Sequence, residues 1–218
     1  MIAAIVFDFD GVLVDSEPLH LRAYQEVLEP RGISLLREEY YADYLGFDDH
    51  GVFRAISTAR KWPIDDGEIR RLIREKTDVY EALLAAGSHL YPGAAESIKR
   101  LSASYPLGIA SGAAKPEIQA TLTSQGLDGY FRFIVASGDT AASKPAPDPY
   151  RRAAELHGMP PHACVAVEDS RWGIESAKAA GLWCIGITNT YPLPELMDAD
   201  AIISSLSELT PQLLQGLG

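Results

Sequence analysis

The chain opens on an apolar run, residues 2–7, rich in β-branched and aromatic side chains and free of charge, which breaks off at Asp8 and Asp10. A run without apolar–polar alternation reads as a strand buried on both faces, as in the middle of a parallel sheet. The period then changes. Over residues 17–29, Tyr24, Val27 and Leu28 form one helical stripe, and four residues back that stripe lands on His20. Arg31-Gly32 closes this helix, and residues 35–44 and 51–59 read as two more. After a turn at residues 63–67, residues 68–86 form a long helix with Ile69, Leu72, Ile73, Tyr80, Leu83 and Leu84 on one face. Lys76 fills the gap in that face. Residues 16–87 therefore read as helix throughout.

Beyond residue 87 strands and helices alternate. Helices are expected over 93–103, 116–125 (with Pro116 in its first turn), 149–157 and 171–180, the last stopped by Gly181. Strands are expected over 107–110, 133–136, 164–167, 184–187 and, briefly, 201–203, ahead of a terminal helix. Such alternation implies right-handed crossovers and a parallel sheet covered on both faces. The expected fold is α/β: a doubly wound, Rossmann-like core made of residues 1–15 and 88–218, with residues 16–87 inserted in its first loop as a small α-helical cap.

Composition narrows the partners. The 218 residues are 47% hydrophobic and 22% charged, as in globular proteins, with 19 Lys and Arg against 30 Asp and Glu and a net charge of −11. Nucleic acid and anionic membrane surfaces are excluded as expected partners. An acidic protein that handles an anion must supply local positive charge from a metal or from a few placed Lys and Arg. Cys164 and Cys184 lie in apolar strand-like runs without metal-type spacing, and read as buried free thiols in a reducing compartment. With no signal peptide and no membrane-spanning run expected, the chain reads as cytoplasmic, a monomer or weak homo-oligomer.

In an open α/β sheet, ligands bind beyond the carboxyl ends of the strands. The first expected strand ends in Asp8 and Asp10, which in extended chain point the same way, with Gly11 permitting a sharp turn. Two carboxylates there call for a cation between them; the plain alternative is a polar strand end with an ordinary Asp-Gly turn. The strand at 107–110 ends in Ser111-Gly112, a hydroxyl beside a glycine amide, and the one at 164–167 in Glu168-Asp169-Ser170. Each of these also reads as helix capping. Lys144 reads either as a surface lysine or as one held in place by the stiff segment Pro145-Ala146-Pro147-Asp148-Pro149. Four acids, a hydroxyl, a glycine amide and one lysine together suit phosphoryl transfer: hard oxygen ligands for Mg²⁺, a carboxylate nucleophile, and cations and amides for the transferring oxygens.

The ordered set Asp8-Phe9-Asp10-Gly11-Val12-Leu13-Val14-Asp15-Ser16, Ser111, Lys144-Pro145 and Val167-Glu168-Asp169-Ser170 resembles the motifs of the haloacid dehalogenase superfamily over essentially the whole chain. The resemblance implies a Mg²⁺-dependent enzyme with Asp8 as the nucleophile that becomes aspartyl phosphate and Asp10 as general acid, then base. It assigns Ser111 and Lys144 to the phosphoryl group, and Asp8, the Asp10 carbonyl, Asp169 and Glu168 to the metal. Gly11 and Gly112 would border the substrate, and Val12-Leu13-Val14-Asp15 would be the hinge strand leading into the cap. Asp10 sets the chain apart from the dehalogenase and phosphonatase branches, which lack an acid there. The helical insert is similar to the cap of the branch that includes β-phosphoglucomutase and sugar-phosphate phosphatases, and His20, Lys76 and Gly46 are the cap residues expected to meet substrate. In the loop Gly46-Phe47-Asp48-Asp49-His50 an acid stands where that mutase has an arginine for a second phosphate. The expectation is a phosphatase acting on a small phosphate monoester, a sugar or polyol phosphate. The alternatives are a hexose phosphomutase of the β-phosphoglucomutase type and, from another class, a non-catalytic binding or scaffold protein.

Overall fold

The computed structural model describes residues 1–45, 47–85 and 90–217. It divides into two compact units, Met1–Asp15 with Ser88–Gly218, and Ser16–Gly87. No helix among the described residues is long and apolar enough to cross a membrane.

The first unit begins with β1 (Ala4–Phe7), every residue of which is buried. The second unit follows: α1 (Glu17–Leu28), a single turn α2 (Arg37–Glu39) running into a π-helical turn Tyr40–Tyr44, then α3 (Asp49–Ala59) and α4 (Asp66–Ala85). Residues 35–44, expected as one regular helix, are thus split between two windings. The wider turn closes through Leu45 N–H to the Tyr40 carbonyl at 3.1 Å and buries both Tyr40 and Tyr44, four residues apart. The core of this unit joins Leu21, Tyr24, Val27 and Leu28 of α1 to Val52, Phe53 and Ile56 of α3 and Ile69 and Leu72 of α4.

The chain then returns to the sheet through α5 (Ala94–Ser102), β2 (Leu107–Ala110), α6 (Lys115–Ser124), β3 (Phe131–Val135), α7 (Asp148–His157), β4 (Cys164–Glu168), α8 (Arg171–Ala179), β5 (Trp183–Ile187), β6 (Ala201–Ile203) and α9 (Pro211–Gln215). The strands are all parallel, in the order β3-β2-β1-β4-β5-β6. The two faces are packed unequally. On one, Ile5, Phe7, Ile109, Val165, Val167, Ile185 and Ile187 meet Ile98, Leu101, Ile118, Leu122 and Leu214 from α5, α6 and α9. On the other, the smaller Ala4, Val6, Ala110 and Ala166 meet Tyr150, Ala153, Ala154, Ile174 and Ala177 from α7 and α8. Side-chain alternation along each strand sends large residues one way and small ones the other, so α7 and α8 sit close against the sheet. The expected doubly wound architecture holds.

Two local expectations do not. β1 stops at Phe7, so extended geometry does not place Asp10. A turn does: Leu13 and Val14 N–H both reach the Phe9 carbonyl, and Gly11 N–H reaches the Val14 carbonyl at 2.9 Å. The same turn takes up Val12–Asp15, expected as a strand leading into the helices; only single bridges from Val14 to Asp10 and to Leu90 remain.

Candidate active site

Strand order reverses between β1 and β4, the neighbours in the middle of the sheet. That is where a doubly wound fold leaves a crevice beyond the carboxyl ends. Asp8 follows β1, and its N–H donates to the Val167 carbonyl of β4 at 3.0 Å. Glu168 ends β4 and is fully buried, with Asp169 next. Oxygens of Asp8, Glu168 and Asp169 all lie within 4.8 Å of one another, a set able to hold a metal ion. Asp10 is expected at the metal through its backbone carbonyl, and its carboxylate is not one of this converging set among the described residues.

Lys144 ties two of the acids together, its Nζ lying 2.9 Å from Asp8 Oδ1 and 2.6 Å from Glu168 Oε1. The Tyr150 hydroxyl donates to the same Glu168 oxygen at 2.6 Å, and Phe9 N–H donates to Asp8 Oδ1 at 2.7 Å. Three acids facing one lysine in a dry crevice leave excess negative charge. Burial pushes the Asp8 carboxyl up to about 6, despite the pull of Lys144, with repulsion from Glu168 adding to the rise. Burial, then the charges of Glu168 and Asp8, hold Asp169 well above the usual carboxylate range. Burial alone would discharge Lys144, but Asp8 and Glu168 outweigh it and its ammonium is held above the ordinary lysine value. A divalent cation among the three carboxylates would relieve this strain, and hard oxygens in a small cluster suit Mg²⁺.

Two glycines are demanded by these acids. A Cβ on Gly11, whose φ is +72°, would sit 1.8 Å from Asp169 Oδ2 and 2.7 Å from Thr190 Oγ1. A Cβ on Gly173, in the first turn of α8, would sit 1.9 Å from Cδ of Glu168. Ser170 caps that helix, its hydroxyl accepting from Gly173 N–H at 3.2 Å, and also lies 3.3 Å from Glu168 Oε2.

Ser111 stands just past β2, the other neighbour of β1. It is buried, its N–H donates to the Val135 carbonyl, and its hydroxyl accepts from Ala113 N–H at 3.1 Å. Gly112 is exposed with open space around it. In the helical unit, Lys76 is buried between the rings of Tyr24 and Tyr80, with its Nζ 2.9 Å from Asp49 Oδ1 and 2.8 Å from His20 Nδ1. The Tyr24 hydroxyl donates to the same Asp49 oxygen at 2.6 Å. The His20 ring stacks on Tyr80, and burial together with the Lys76 charge pushes its pKa down to about 3. Gly46 lies outside the described residues.

A family model for haloacid dehalogenase-like hydrolases matches residues 5–187 of the chain. The chain belongs to the haloacid dehalogenase-like hydrolase family. Protein CbbY of Rhodobacter capsulatus is 34% identical over 225 residues, covering 98% of each chain. Phosphoglycolate phosphatase of Escherichia coli (strain K12) is 32% identical over 233 residues, covering 97% of this chain and 92% of its own. The crystal structure of CbbY from Rhodobacter sphaeroides in complex with phosphate superposes with a TM-score of 0.78 at 33% identity, over 96% of both chains. A mutant of that protein has been crystallised with xylulose-1,5-bisphosphate.

Within this haloacid dehalogenase-like frame, the site also contains residues that reading the sequence passed over. Tyr150, Asn189, Thr190 and Gly173 all touch it or its turns. The loop after β5 could have been found by the rule applied to the other strands, since Thr188-Asn189-Thr190 ends that strand as Ser111-Gly112 ends β2. Tyr150 carried no comparable signal, because a buried aromatic on an amphipathic helix reads as core.

Proposed function

We propose that this chain is a Mg²⁺-dependent phosphatase that hydrolyses a small phosphate monoester, a sugar or polyol phosphate, through an aspartyl-phosphate intermediate. The observation that carries the reading is the buried group Asp8, Glu168 and Asp169 gathered around Lys144 at the reversal point of the sheet. The phosphatases and the phosphate complex among the relatives support the same substrate class.

Asp8 Oδ1 is committed to Phe9 N–H and Lys144. Oδ2 is therefore the attacking oxygen: it bonds to phosphorus, the ester P–O bond breaks, and the departing alkoxide takes a proton from Asp10. Asp10 then removes a proton from water, whose oxygen attacks phosphorus and releases inorganic phosphate and free Asp8. Lys144 and Ser111 offset the charge on the transferring oxygens. Asp8, Asp169, Glu168 and the Asp10 backbone carbonyl would hold the metal, which would supply further charge compensation for the phosphoryl group. Gly112, with open space around it, leaves room for close approach of the phosphate, and Gly11, whose Cβ face Asp169 and Thr190 fill, would border it through its backbone. The helical unit is the candidate cap, with His20, Lys76 and Gly46 as its candidate substrate-selecting residues. Because Asp49 already balances Lys76, an uncharged polyhydroxylated leaving group suits that set better than a second phosphate.

A panel of sugar and polyol phosphates, together with 4-nitrophenyl phosphate, assayed with and without Mg²⁺ tests this. Release of inorganic phosphate only with Mg²⁺ is expected. No turnover of any ester would leave the chain a binding protein, and an isomerised sugar phosphate formed with a bisphosphate primer would make it a mutase.

A further inference from the structure

Three consecutive residues on the loop after β5 reach the two acid-bearing turns of the site. The Asn189 side-chain amide donates to the Gly11 carbonyl at 2.8 Å. The Thr190 hydroxyl and the Asp169 carboxylate converge on the face of Gly11, 2.7 and 1.8 Å from where a Cβ would stand. The Tyr191 ring meets Trp172, three residues past Asp169, edge to face at 6.0 Å. The loop itself is anchored to the sheet by Thr188 N–H on the Ile203 carbonyl at 3.0 Å.

The Gly11 backbone shows why this matters. Its N–H is taken by the Val14 carbonyl and its C=O by Asn189, and its left-handed φ of +72° is one that glycine leaves easily. Without Asn189 the carbonyl side of the Gly11 residue loses the side-chain hydrogen bond seen among the described residues, and the turn that carries Asp10 gains a freedom the N–H bond alone does not remove. A carboxylate that must give and then take a proton tolerates little displacement.

We infer that Asn189 is a positioning residue, which holds the Asp10–Gly11 turn in fixed register across the crevice. The inference rests on the phosphatase reading for its kinetic arm only. Asn189→Asp keeps the side-chain shape but loses the donor, and Asn189→Ala removes the side chain. On 4-nitrophenyl phosphate, both Asn189 variants are expected to lose about 10- to 100-fold in kcat with KM changed less than about 3-fold. Hydrogen–deuterium exchange supplies the second readout. In the Asn189 variants the Gly11, Leu13 and Val14 amides should exchange at least about 10-fold faster while the β1 and β4 amides keep their protection. Values of kcat within twofold of the parent would overturn the inference, as would faster exchange spread evenly through β1 and β4, which marks mere loss of stability. If the parent chain hydrolyses no ester, the phosphatase reading fails, and the exchange measurement still decides whether the bracket exists.

Discussion

Lys144 in the sheet unit and Lys76 in the helical unit are both largely withdrawn from water, and each has a carboxylate oxygen 2.9 Å from its ammonium. Their surroundings differ in charge balance. Lys76 meets one acid, Asp49, and a histidine held neutral by a pKa of about 3, so the group sums to zero. Lys144 meets Asp8 and Glu168 with Asp169 beside them, so that group sums to −2 if all are ionised. A balanced buried pair is complete and can serve as structure. An unbalanced one is incomplete: burial, with repulsion between the acids added to it, lifts the pKa of Asp8 and Asp169. Burial of charge alone does not mark a catalytic centre; an unmatched remainder points to one.

That contrast yields predictions of opposite sign. The largest effect is on chemistry: Asp8→Asn should cut ester hydrolysis by at least about 10³-fold while the unfolding midpoint stays within a few degrees. Residual turnover near the parent rate in a steady-state assay would move the nucleophile elsewhere. Next is Asp49→Asn, which strands the Lys76 ammonium in a buried setting and should destabilise the chain by about 2–3 kcal/mol in urea unfolding. A cost below about 0.5 kcal/mol would mean that the pair is not a balanced structural unit. In the metal-free protein Asp169→Asn should do the reverse, raising stability by about 1 kcal/mol because it removes one unmatched charge. The same variant should lose the rise in unfolding midpoint that Mg²⁺ gives the parent, a shift read by calorimetry.

The smallest effect is in the pH dependence of metal-free stability. Asp8 binds its proton more readily folded, at about 6, than unfolded, so its contribution grows more favourable as pH falls from about 6 toward 4. His20 behaves oppositely: neutral when folded, down to about 3, it is protonated first in the unfolded chain. Its contribution, present above about 6.5, is lost as pH falls toward 3. Urea midpoints followed from pH 7 to 4 should therefore fall less steeply in His20→Gln than in the parent. Identical acid limbs would show that His20 carries no such linkage.

Much of the site was readable because its residues end strands. An uncharged run that stops at an acid, or at Ser-Gly, is a local pattern, and it pointed to Asp8, Ser111 and Glu168-Asp169 without knowledge of the sheet. Lys76 was legible as a polar residue on an apolar helical face, yet its partner was not, since Asp49 lies 27 residues away on another helix. The expectation for Asp10 rested on strand alternation, which stops at Phe7; the turn beyond is built from backbone bonds of Leu13 and Val14 to Phe9 and of Gly11 to Val14.

Strands, helices and the long helical insertion follow from hydrophobic period and punctuation, which each segment carries within itself. The strand order does not. That β4 returns to the far side of β1, bringing Glu168 against Lys144 and Asp8, depends on how layers of unequal side chains pack on the two faces of the sheet. The same packing sets Tyr150 under Glu168, Gly173 against its carboxylate, and Asn189 across from Gly11, 178 residues away. These are contacts between surfaces that form only once the sheet has closed, and no local pattern encodes them. The reacting groups are written into the ends of single strands, whereas their balance of charge and their register are properties of the assembled crevice.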